Sequence, residues 1–216
     1  MLTFTEEILL LMLDDDSGKV EHADPLAIKY ALGGSILMEL AVKSKIEVDS
    51  ENLKVIENTP TGIDILDKYL TAIDQEKDHK NTSYWINYLS LCSDDIQKHA
   101  LNSLIEKGIL KEVEEKILWV FDTRRYPLID EKEEKEVKKR IVDLLYSDEI
   151  PTPRDVVLIS LADTCNILPS ILSQEEVEHA SDRIAEIKEM DVIGQVISKV
   201  VRQLHLDIAQ AMTMMH

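Results

Sequence analysis

The sequence predicts a mainly α-helical fold, with a single compact helical domain and two small peripheral β-hairpins. Three observations support this prediction. Apolar residues recur with helical spacing over most of the 216 residues. Alternation of apolar and polar residues, which is typical of strands, occurs in two short stretches that each surround a polar turn. The length and the 44% of hydrophobic side chains suit one domain over residues 1–216.

The first helix is predicted to begin at Thr5, as the N-cap, and to carry the apolar run Ile8–Leu13. The acidic segment Asp14–Gly18 follows and is interpreted as a turn. Its glycine and the position of the final ligand are out of register with a calcium-binding EF-hand loop. We therefore predict no metal site there.

The second helix is predicted to begin at Pro25, which follows Asp24 or Ala23 as the cap. It carries a long apolar stripe that the pair Gly33-Gly34 interrupts. Since no strand precedes these glycines, they do not form a phosphate-binding loop. The pair favours a close approach of another helix, or a kink.

Two β-hairpins are predicted from alternating segments. The first joins Lys45–Val48 to Leu53–Glu57, and the second joins Ile109–Val113 to Lys116–Phe121. A Glu114-Glu115 turn would connect the second pair. Each hairpin follows a helix and ends near a proline, which is a weak internal echo and not a sequence repeat.

The remaining helices follow from their apolar spacing and their capping residues. Asp130–Arg140 has acids early and bases late, which is typical of an exposed helix. The final helix has an apolar stripe that predicts closure of the core, with a partner-binding surface as the alternative. The predicted helices are Gly62–Ile73, Ile96–Lys107, Asp130–Arg140, Arg154–Leu168 and Glu175–Met190, and the last stripe consists of Ile193, Val196, Ile197, Val200, Leu204, Ile208 and Met212.

Charge excludes several classes of protein. Forty-two acidic and 24 basic residues give a net charge of −18, which repels nucleic acid and anionic membranes. We predict no nucleic-acid partner. The longest apolar run, Ile8–Leu13, is too short for a bilayer span, so no transmembrane helix is predicted. Cys92 and Cys165 are too few for a disulfide framework and predict buried thiols in a reducing cytosol.

Patterns that carry catalysis are absent from the sequence. It contains no nucleophile elbow, zinc-protease motif, C-x-x-C pair or phosphate-binding loop. The six histidines are scattered without helical spacing, so a helical metal face lacks its usual pair of imidazoles. The pair Asp94-Asp95 is explained as an N-terminal cap. We therefore predict no enzyme, no cofactor and no metal.

Several segments, taken together in order and spacing, are specific although each is weak alone. They are Leu2–Leu11, Ile36–Ala41 with Ile46, Thr59–Gly62 with Leu66-Asp67, Trp85-Ile86 with Leu89-Ser90, Leu104–Leu110, Phe121-Asp122 with Pro127-Leu128, and Leu158–Asp163 with Ile167-Leu168. This succession, from Leu2 to about Val201, resembles the Golgi phosphoprotein 3 family.

The resemblance implies a compact, mainly helical, cytoplasmic domain that is peripheral to membranes. Eukaryotic members of the family recognise phosphatidylinositol 4-phosphate at the Golgi, engage cytosolic tails of glycosyltransferases and self-associate. The implied activity is binding and not catalysis. The implied partners are therefore a phosphoinositide or other anionic lipid headgroup, protein tails and a second copy of the chain.

The resemblance also implies a shallow basic headgroup pocket. The family builds it from a tryptophan before the second helix, an arginine within that helix, and two arginines on the helix that leads to Glu106. In this sequence the corresponding positions, in that order, are Asp24, Gly33, Asp94 and Gln97. None is basic, and phosphate recognition depends on fixed guanidinium groups, so the basic headgroup residues are predicted to be lost.

Nearby basic residues offer substitutes for the lost pocket. They are Lys29 on the second helix and Lys98 and His99 beyond Gln97. Arg124 and Arg125 lie outside the matched pocket and are predicted to decorate a loop. The sequence thus leaves two functions open. One is a non-enzymatic peripheral membrane adaptor, and the other is a protein–protein interaction module, homodimeric through its last helix, without lipid binding.

Overall fold

The computed structural model describes residues 2–13, 24–49, 51–117 and 121–197, together with residues 199, 201, 203 and 206. The described residues are mostly helical, and the strands form two separate two-stranded antiparallel sheets. The prediction of a mainly α fold with two small hairpins is confirmed. The elements are α1 (Phe4–Met12), α2 (Pro25–Val42), β1 (Ile46–Val48), β2 (Leu53–Val55), α3 (Asp64–Gln75), α4 (Thr82–Leu91), α5 (Ser93–Glu106), β3 (Val113–Ile117), β4 (Phe121–Arg125), α6 (Lys132–Leu145), α7 (Pro153–Thr164), α8 (Leu168–Ile171), α9 (Gln174–His179) and α10 (Ser181–Glu189).

Helix α1 begins two residues earlier than predicted, since its N-cap is Thr3 and not Thr5. The Thr3 hydroxyl accepts the Glu6 N–H at 3.3 Å, and the Glu6 carboxylate accepts the Thr3 N–H at 2.7 Å. This reciprocal capping box satisfies donors that a helix start leaves open. The Thr5 side chain is buried and lies 2.7 Å from the Ser35 hydroxyl instead. The acidic segment Asp14–Gly18 lies outside the described residues.

Helix α2 is the centre of the fold and packs against α1, α4, α5 and α7. At Gly33 an added Cβ would lie 2.9 Å from the Ser90 backbone nitrogen, and at Gly34 it would lie 2.1 Å from the Ile197 Cδ1 atom. The glycine pair therefore permits close approach on two sides, as one of the two sequence interpretations proposed.

By length and composition α2 could cross a membrane, with a mean hydropathy of 1.3, although the sequence predicted no such helix. However, 67% of this stretch is buried inside the protein. An apolar core helix has the same composition because it is covered on most sides. The burial therefore supports the role of a core helix.

The first hairpin matches its prediction, with Ile46 opposite Val55 and Val48 opposite Leu53. The second hairpin is shifted along the chain. The predicted turn residues Glu114 and Glu115 lie within β3, opposite Arg124 and Thr123. The predicted first strand was wrong because Ile109 and Leu110 serve the core. Both are buried, and Leu110 instead forms a bridge with Leu128.

The same shift corrects the position of the arginine pair. Arg124 and Arg125 belong to β4 and not to a loop, with Arg125 opposite Val113. Residues 118–120, which include part of the predicted second strand, lie outside the described residues.

The C-terminal third has shorter helices than the apolar spacing predicted. Pro169 lies in the first turn of α8, where proline fits, and does not simply end a helix. The predicted helix Glu175–Met190 is divided into α9 and α10 at Ala180. Residues 192–197 are helical.

The apolar stripe of the last helix is buried where it is described. Ile193, Val196 and Ile197 have at most 6% of their surface exposed and belong to the core cluster. These three residues therefore close the core, which is the role that the sequence predicted for the stripe. Val200, Leu204, Ile208 and Met212 lie outside the described residues.

Candidate functional site

The start of α2 places the first candidate residue, Asp24. Its carboxylate accepts the Leu26 N–H at 2.8 Å and caps the helix, with Pro25 at the first helical position. Lys29 lies one turn further on and is exposed. The Tyr30 hydroxyl donates to Asn87 Oδ1 at 2.9 Å and so joins this end of α2 to α4.

The first turns of α5 carry the other polar candidates. Asp94 and Lys98 are exposed, whereas Gln97 is half-buried. Asp95 forms a salt bridge to Lys68 of α3, with 2.7 Å between Nζ and Oδ2. The hydrogen bond from Lys68 holds the pKa of Asp95 below its ordinary value. The acids also lie near the positive end of the helix dipole, which stabilises them.

Gly33 is a packing residue in this structure. It lies where α2 crosses the end of α4, and an added Cβ would meet the Ser90 nitrogen at 2.9 Å and the Leu89 carbonyl carbon at 3.0 Å. These neighbours are backbone atoms and cannot rotate away. A long side chain has no space at this position.

His99 does not lie with the other candidates. It lines a separate polar cleft of about 490 Å³ between the start of α3, the start of α1 and α5, which Asp64 and Lys107 also line. None of the other six candidate residues lines this cleft. The structure therefore separates His99 from the exposed pair Asp94 and Lys98, although all three are on α5.

The polar groups near α2 and α5 form no metal-binding cluster in the part of the chain that the structure describes. Among residues 2–13, 24–49, 51–117 and 121–197, no group of three or more His, Cys, Asp or Glu side chains could hold a metal ion. Exposed charges at the candidate positions are the carboxylate of Asp94 and the ammonium groups of Lys29 and Lys98. Such an arrangement can bind by charge and hydrogen bonds.

Sequence reasoning missed a second, buried group of charges around α1, which we call the N-terminal ionic network. It consists of Glu6, Glu7, Glu39, Lys107, Arg140, Arg154 and Asp155. Glu7 is 4% exposed and lies 2.9 Å from Arg140 Nη2 and 2.8 Å from Arg154 Nη2. Burial of such a carboxylate is tolerated because both of its oxygens face guanidinium groups.

The connected pairs of the N-terminal ionic network join the four helices α1, α2, α6 and α7, and the separate Glu6–Lys107 pair joins α1 to the residue that follows α5. Arg140 of α6 also contacts Asp155 of α7 at 2.8 Å, and Glu39 of α2 accepts the Phe4 N–H at 2.9 Å. The Arg154 guanidinium lies 4.4 Å from the centroid of the Phe4 ring, within cation–π range. The signal in the sequence was the Glu6-Glu7 pair within an apolar helix, since buried carboxylates require partners.

Comparison with known proteins agrees with this architecture. The family model described as Golgi phosphoprotein 3 (GPP34) matches residues 4–204. Two relatives share the description vacuolar protein sorting-associated protein 74. The one from Eremothecium gossypii is 28% identical over 88% of this chain and 67% of its own length. The one from Schizosaccharomyces pombe is 28% identical over 86% of this chain and 66% of its own length.

The chain thus spans about two thirds of the length of these relatives. The family match covers α1 to the last helix and includes both hairpins. It also includes all seven candidate site residues and the N-terminal ionic network. The chain belongs to the Golgi phosphoprotein 3 (GPP34) family.

Proposed function

We propose that this protein is a non-enzymatic adaptor that works on the cytoplasmic side of a membrane, and that its affinity for phosphorylated lipid headgroups is reduced. The family match over residues 4–204 supports the adaptor role, together with the resemblance in the order of its segments. The reduced affinity is supported by the residues at the headgroup positions, none of which is basic. These residues are Asp24, Gly33, Asp94 and Gln97.

The chemistry of these positions opposes tight phosphate binding. Asp24 is occupied as a helix cap, and Gly33 lies against the α4 backbone. Asp94 adds an exposed negative charge, which repels a phosphomonoester. Lys29 and Lys98 are flexible point charges that lack the bidentate geometry of arginine. We therefore expect recruitment to rest mainly on contacts with proteins, such as the tails that the family engages.

Co-sedimentation with lipid vesicles tests this proposal. The compositions are neutral phosphatidylcholine, the same lipid with phosphatidylserine, and the same lipid with phosphatidylinositol 4-phosphate at matched total charge. We expect the wild-type protein to show no preference for the phosphoinositide over phosphatidylserine. A clear preference of the wild-type protein for the phosphoinositide would contradict the proposed reduction in headgroup affinity.

A double variant, Asp94→Arg with Gln97→Arg, should restore the preference. Each guanidinium–phosphate contact contributes roughly 1 kcal/mol or more, so the affinity should rise by about 30-fold for the pair. The control variant Asp182→Arg with Gln174→Arg makes the same change of charge at exposed positions on α10 and α9. If both double variants bind the phosphoinositide equally, α5 does not carry the headgroup site.

A second candidate function is a protein–protein interaction module without lipid binding, which forms a homodimer through its last helix. The net charge of −18 favours it, because this charge opposes approach to an anionic bilayer. Light scattering tests self-association, and a strict monomer at high concentration would remove the homodimer. Failure to sediment with any vesicle composition would favour this module over the membrane adaptor.

A further inference from the structure

Helix α4 presents an outer side that carries no charge. Its ten residues, Thr82–Leu91, include no Asp, Glu, Lys or Arg, although 31% of the chain is charged. Three of its larger side chains are nevertheless exposed, namely Tyr84 at 40%, Tyr88 at 37% and Leu91 at 86%. They lie at positions i, i+4 and i+7 and therefore share one side of the helix. We call these three residues the α4 outer face.

The opposite side of α4 is fixed in the core. Trp85, Ile86 and Leu89 are at most 5% exposed. The Trp85 ring makes edge-to-face contacts with both tyrosines of the outer face, with centroids 5.4 Å from Tyr84 and 5.6 Å from Tyr88. Such aromatic pairs stabilise the position of each ring. The α4 outer face is therefore presented on a well-packed helix.

The α4 outer face is continuous with the candidate headgroup positions. Leu91 lies three residues before Asp94 of α5. Asn87, which is exposed and precedes Tyr88, accepts a hydrogen bond from the Tyr30 hydroxyl at 2.9 Å. Tyr30 directly follows Lys29 on α2. A bilayer that meets the headgroup positions on α2 and α5 would therefore also reach α4.

We propose that the α4 outer face inserts its tyrosine and leucine side chains into the interface of a zwitterionic lipid bilayer. Tyrosine is enriched at the level of lipid headgroups because its ring is apolar and its hydroxyl is polar. Leu91 gains free energy by leaving water. The Lys80 ammonium lies 5.2 Å from the centroid of the Tyr84 ring, and a lysine beside such a face can extend to a lipid phosphate.

This inference rests on the proposed membrane location and adds a contact that needs no phosphoinositide. The net charge of −18 opposes approach to anionic lipid, and the exposed carboxylate of Asp94 would repel an anionic headgroup. Lipids without net charge avoid both conflicts. The α4 outer face adds no charge of its own, so insertion of its side chains depends on apolar burial and not on the sign of the bilayer.

A second copy of the chain fits this face less well. The three side chains expose on the order of 350 Å² in total, whereas a stable dimer buries about 800 Å² on each partner. A two-fold contact would also bring the exposed Asp94 of one copy towards that of the other. Binding to a bilayer interface scales with the apolar area buried and has no such minimum.

A fluorescent label at Leu91 tests where this face lies. The variant Leu91→Cys, made with Cys92→Ser, carries a nitrobenzoxadiazole label, while Cys165 is fully buried. The matched control carries the label at Ile150→Cys in the same background, at a residue that is 91% exposed and precedes Pro151 near the C-terminal end of α2. With phosphatidylcholine vesicles, we expect a blue shift and quenching by brominated acyl chains at position 91 and neither at position 150.

Substitutions test whether the face contributes to binding. Tyr88→Ser with Leu91→Ser should weaken co-sedimentation with phosphatidylcholine vesicles by about tenfold or more, because less apolar surface leaves water. Tyr88→Phe with Leu91→Ile keeps the apolar area and should bind like the wild type. Ile150→Ser removes an equally exposed apolar side chain elsewhere and should have no effect. Equal binding of the serine double variant and the wild type would overturn the inference.

The outcomes separate this inference from the proposed function. If the protein binds vesicles while the label at position 91 stays in water, the membrane adaptor stands and the inference is wrong. If the wild type binds no vesicle composition, the proposed membrane location and the inference both fail. If the label at position 91 becomes buried without lipid as the protein concentration rises, the face serves contact between proteins and the inference is wrong.

Discussion

The N-terminal ionic network and the outer face of α5 use charge in opposite ways. In the network, Arg140 and Arg154 lie against the buried carboxylate of Glu7. On α5, Asp94 and Lys98 are exposed to solvent. The chain has 24 basic residues against 42 acidic ones. Two of its arginines, Arg140 and Arg154, pair with a buried carboxylate. The difference teaches that Arg140 and Arg154 hold helices together, while the exposed candidate positions on α5 carry one carboxylate and one ammonium group.

The two regions should also differ in energy. A buried ion pair that loses one partner leaves an uncompensated charge in a medium of low polarity, whereas an exposed pair exchanges its partner for water. The comparison therefore predicts a steep dependence of stability on the network and a shallow one on the surface. Three substitutions test this, from the largest expected effect to the smallest.

Arg154→Ala should have the largest effect. Arg154 forms a salt bridge with Glu7, donates a hydrogen bond to the Leu2 carbonyl oxygen and lies over the Phe4 ring. Its removal leaves the Glu7 carboxylate partly unpaired in the core, so the free energy of unfolding should fall by about 3–5 kcal/mol. Urea denaturation at neutral pH measures the change.

A matched control for this variant is Lys139→Ala, which removes an exposed cation from α6. It should change the free energy of unfolding by less than about 0.5 kcal/mol. Adding Glu7→Gln to Arg154→Ala should recover part of the loss, because the orphaned charge is then removed. A loss below about 1 kcal/mol for Arg154→Ala would show that the network is not a main source of stability.

Asp191→Asn extends the comparison to a buried carboxylate that, unlike Glu7, has no salt bridge to an arginine among the described residues. Burial raises the pKa of Asp191 from 3.8 to about 6, so the fold favours its protonated form. This contribution is fully present below pH 3.8 and is lost as the pH rises through about 6. Asparagine keeps an oxygen for the Gly194 N–H and carries no charge.

The variant Asp191→Asn should therefore raise the free energy of unfolding by about 3 kcal/mol at about pH 7.5 and by less than about 1 kcal/mol at about pH 4. Urea denaturation of both proteins at the two pH values measures the difference in free energy of unfolding between the variant and the wild type. The other carboxylates titrate in both proteins, so their contribution cancels in this difference. An equal gain at both pH values would mean that the ionisation of Asp191 has no cost in the fold.

Lys68→Ala should have the smallest effect. Lys68 and Asp95 form a salt bridge of 2.7 Å, but their side chains are 56% and 54% exposed. Since water competes for both groups, the free energy of unfolding should fall by no more than about 0.5 kcal/mol, and by less in high salt. Urea denaturation at low and high salt checks this. A loss above about 1 kcal/mol would contradict the expectation that exposed ion pairs contribute much less to stability than the N-terminal ionic network.

The sequence was sufficient for the fold class because that class follows from periodicity. The first hairpin was placed within a residue or two, since its alternation is bounded by Asn58 and Pro60. The second was misplaced because Ile109 and Leu110 alternate like a strand although they serve the core. Sequence periodicity records which residues are apolar and not which neighbour covers them.

Other misplaced boundaries have local causes. Helix α4 was not predicted, and α5 begins three residues earlier than its prediction at Ile96, because Cys92 between the two helices carries no strong stop signal. Thr3 and Thr5 are both good caps, and the choice between them depends on Glu6 reaching back to the Thr3 N–H. Such reciprocal contacts are visible only in the folded chain.

The candidate site stays a prediction of positions, for which the structure adds the contacts that each residue makes. The sequence contained Asp24 and Asp94, yet spacing alone could not show that Asp24 caps a helix or that His99 lines another cleft. The buried network escaped prediction for the same reason, since Glu7 and Arg154 are paired in space but far apart in the chain. Long-range pairing of charges has no periodic signature.

The crossing of α2 and α4 at Gly33 also limits how this protein can change over generations. Any larger residue at this position collides with fixed backbone of Leu89 and Ser90. An arginine at this position would require α4 to move away from α2, so a substitution of Gly33 alone would fold poorly. The close contact of the two helices therefore restricts position 33 to glycine unless α4 changes at the same time.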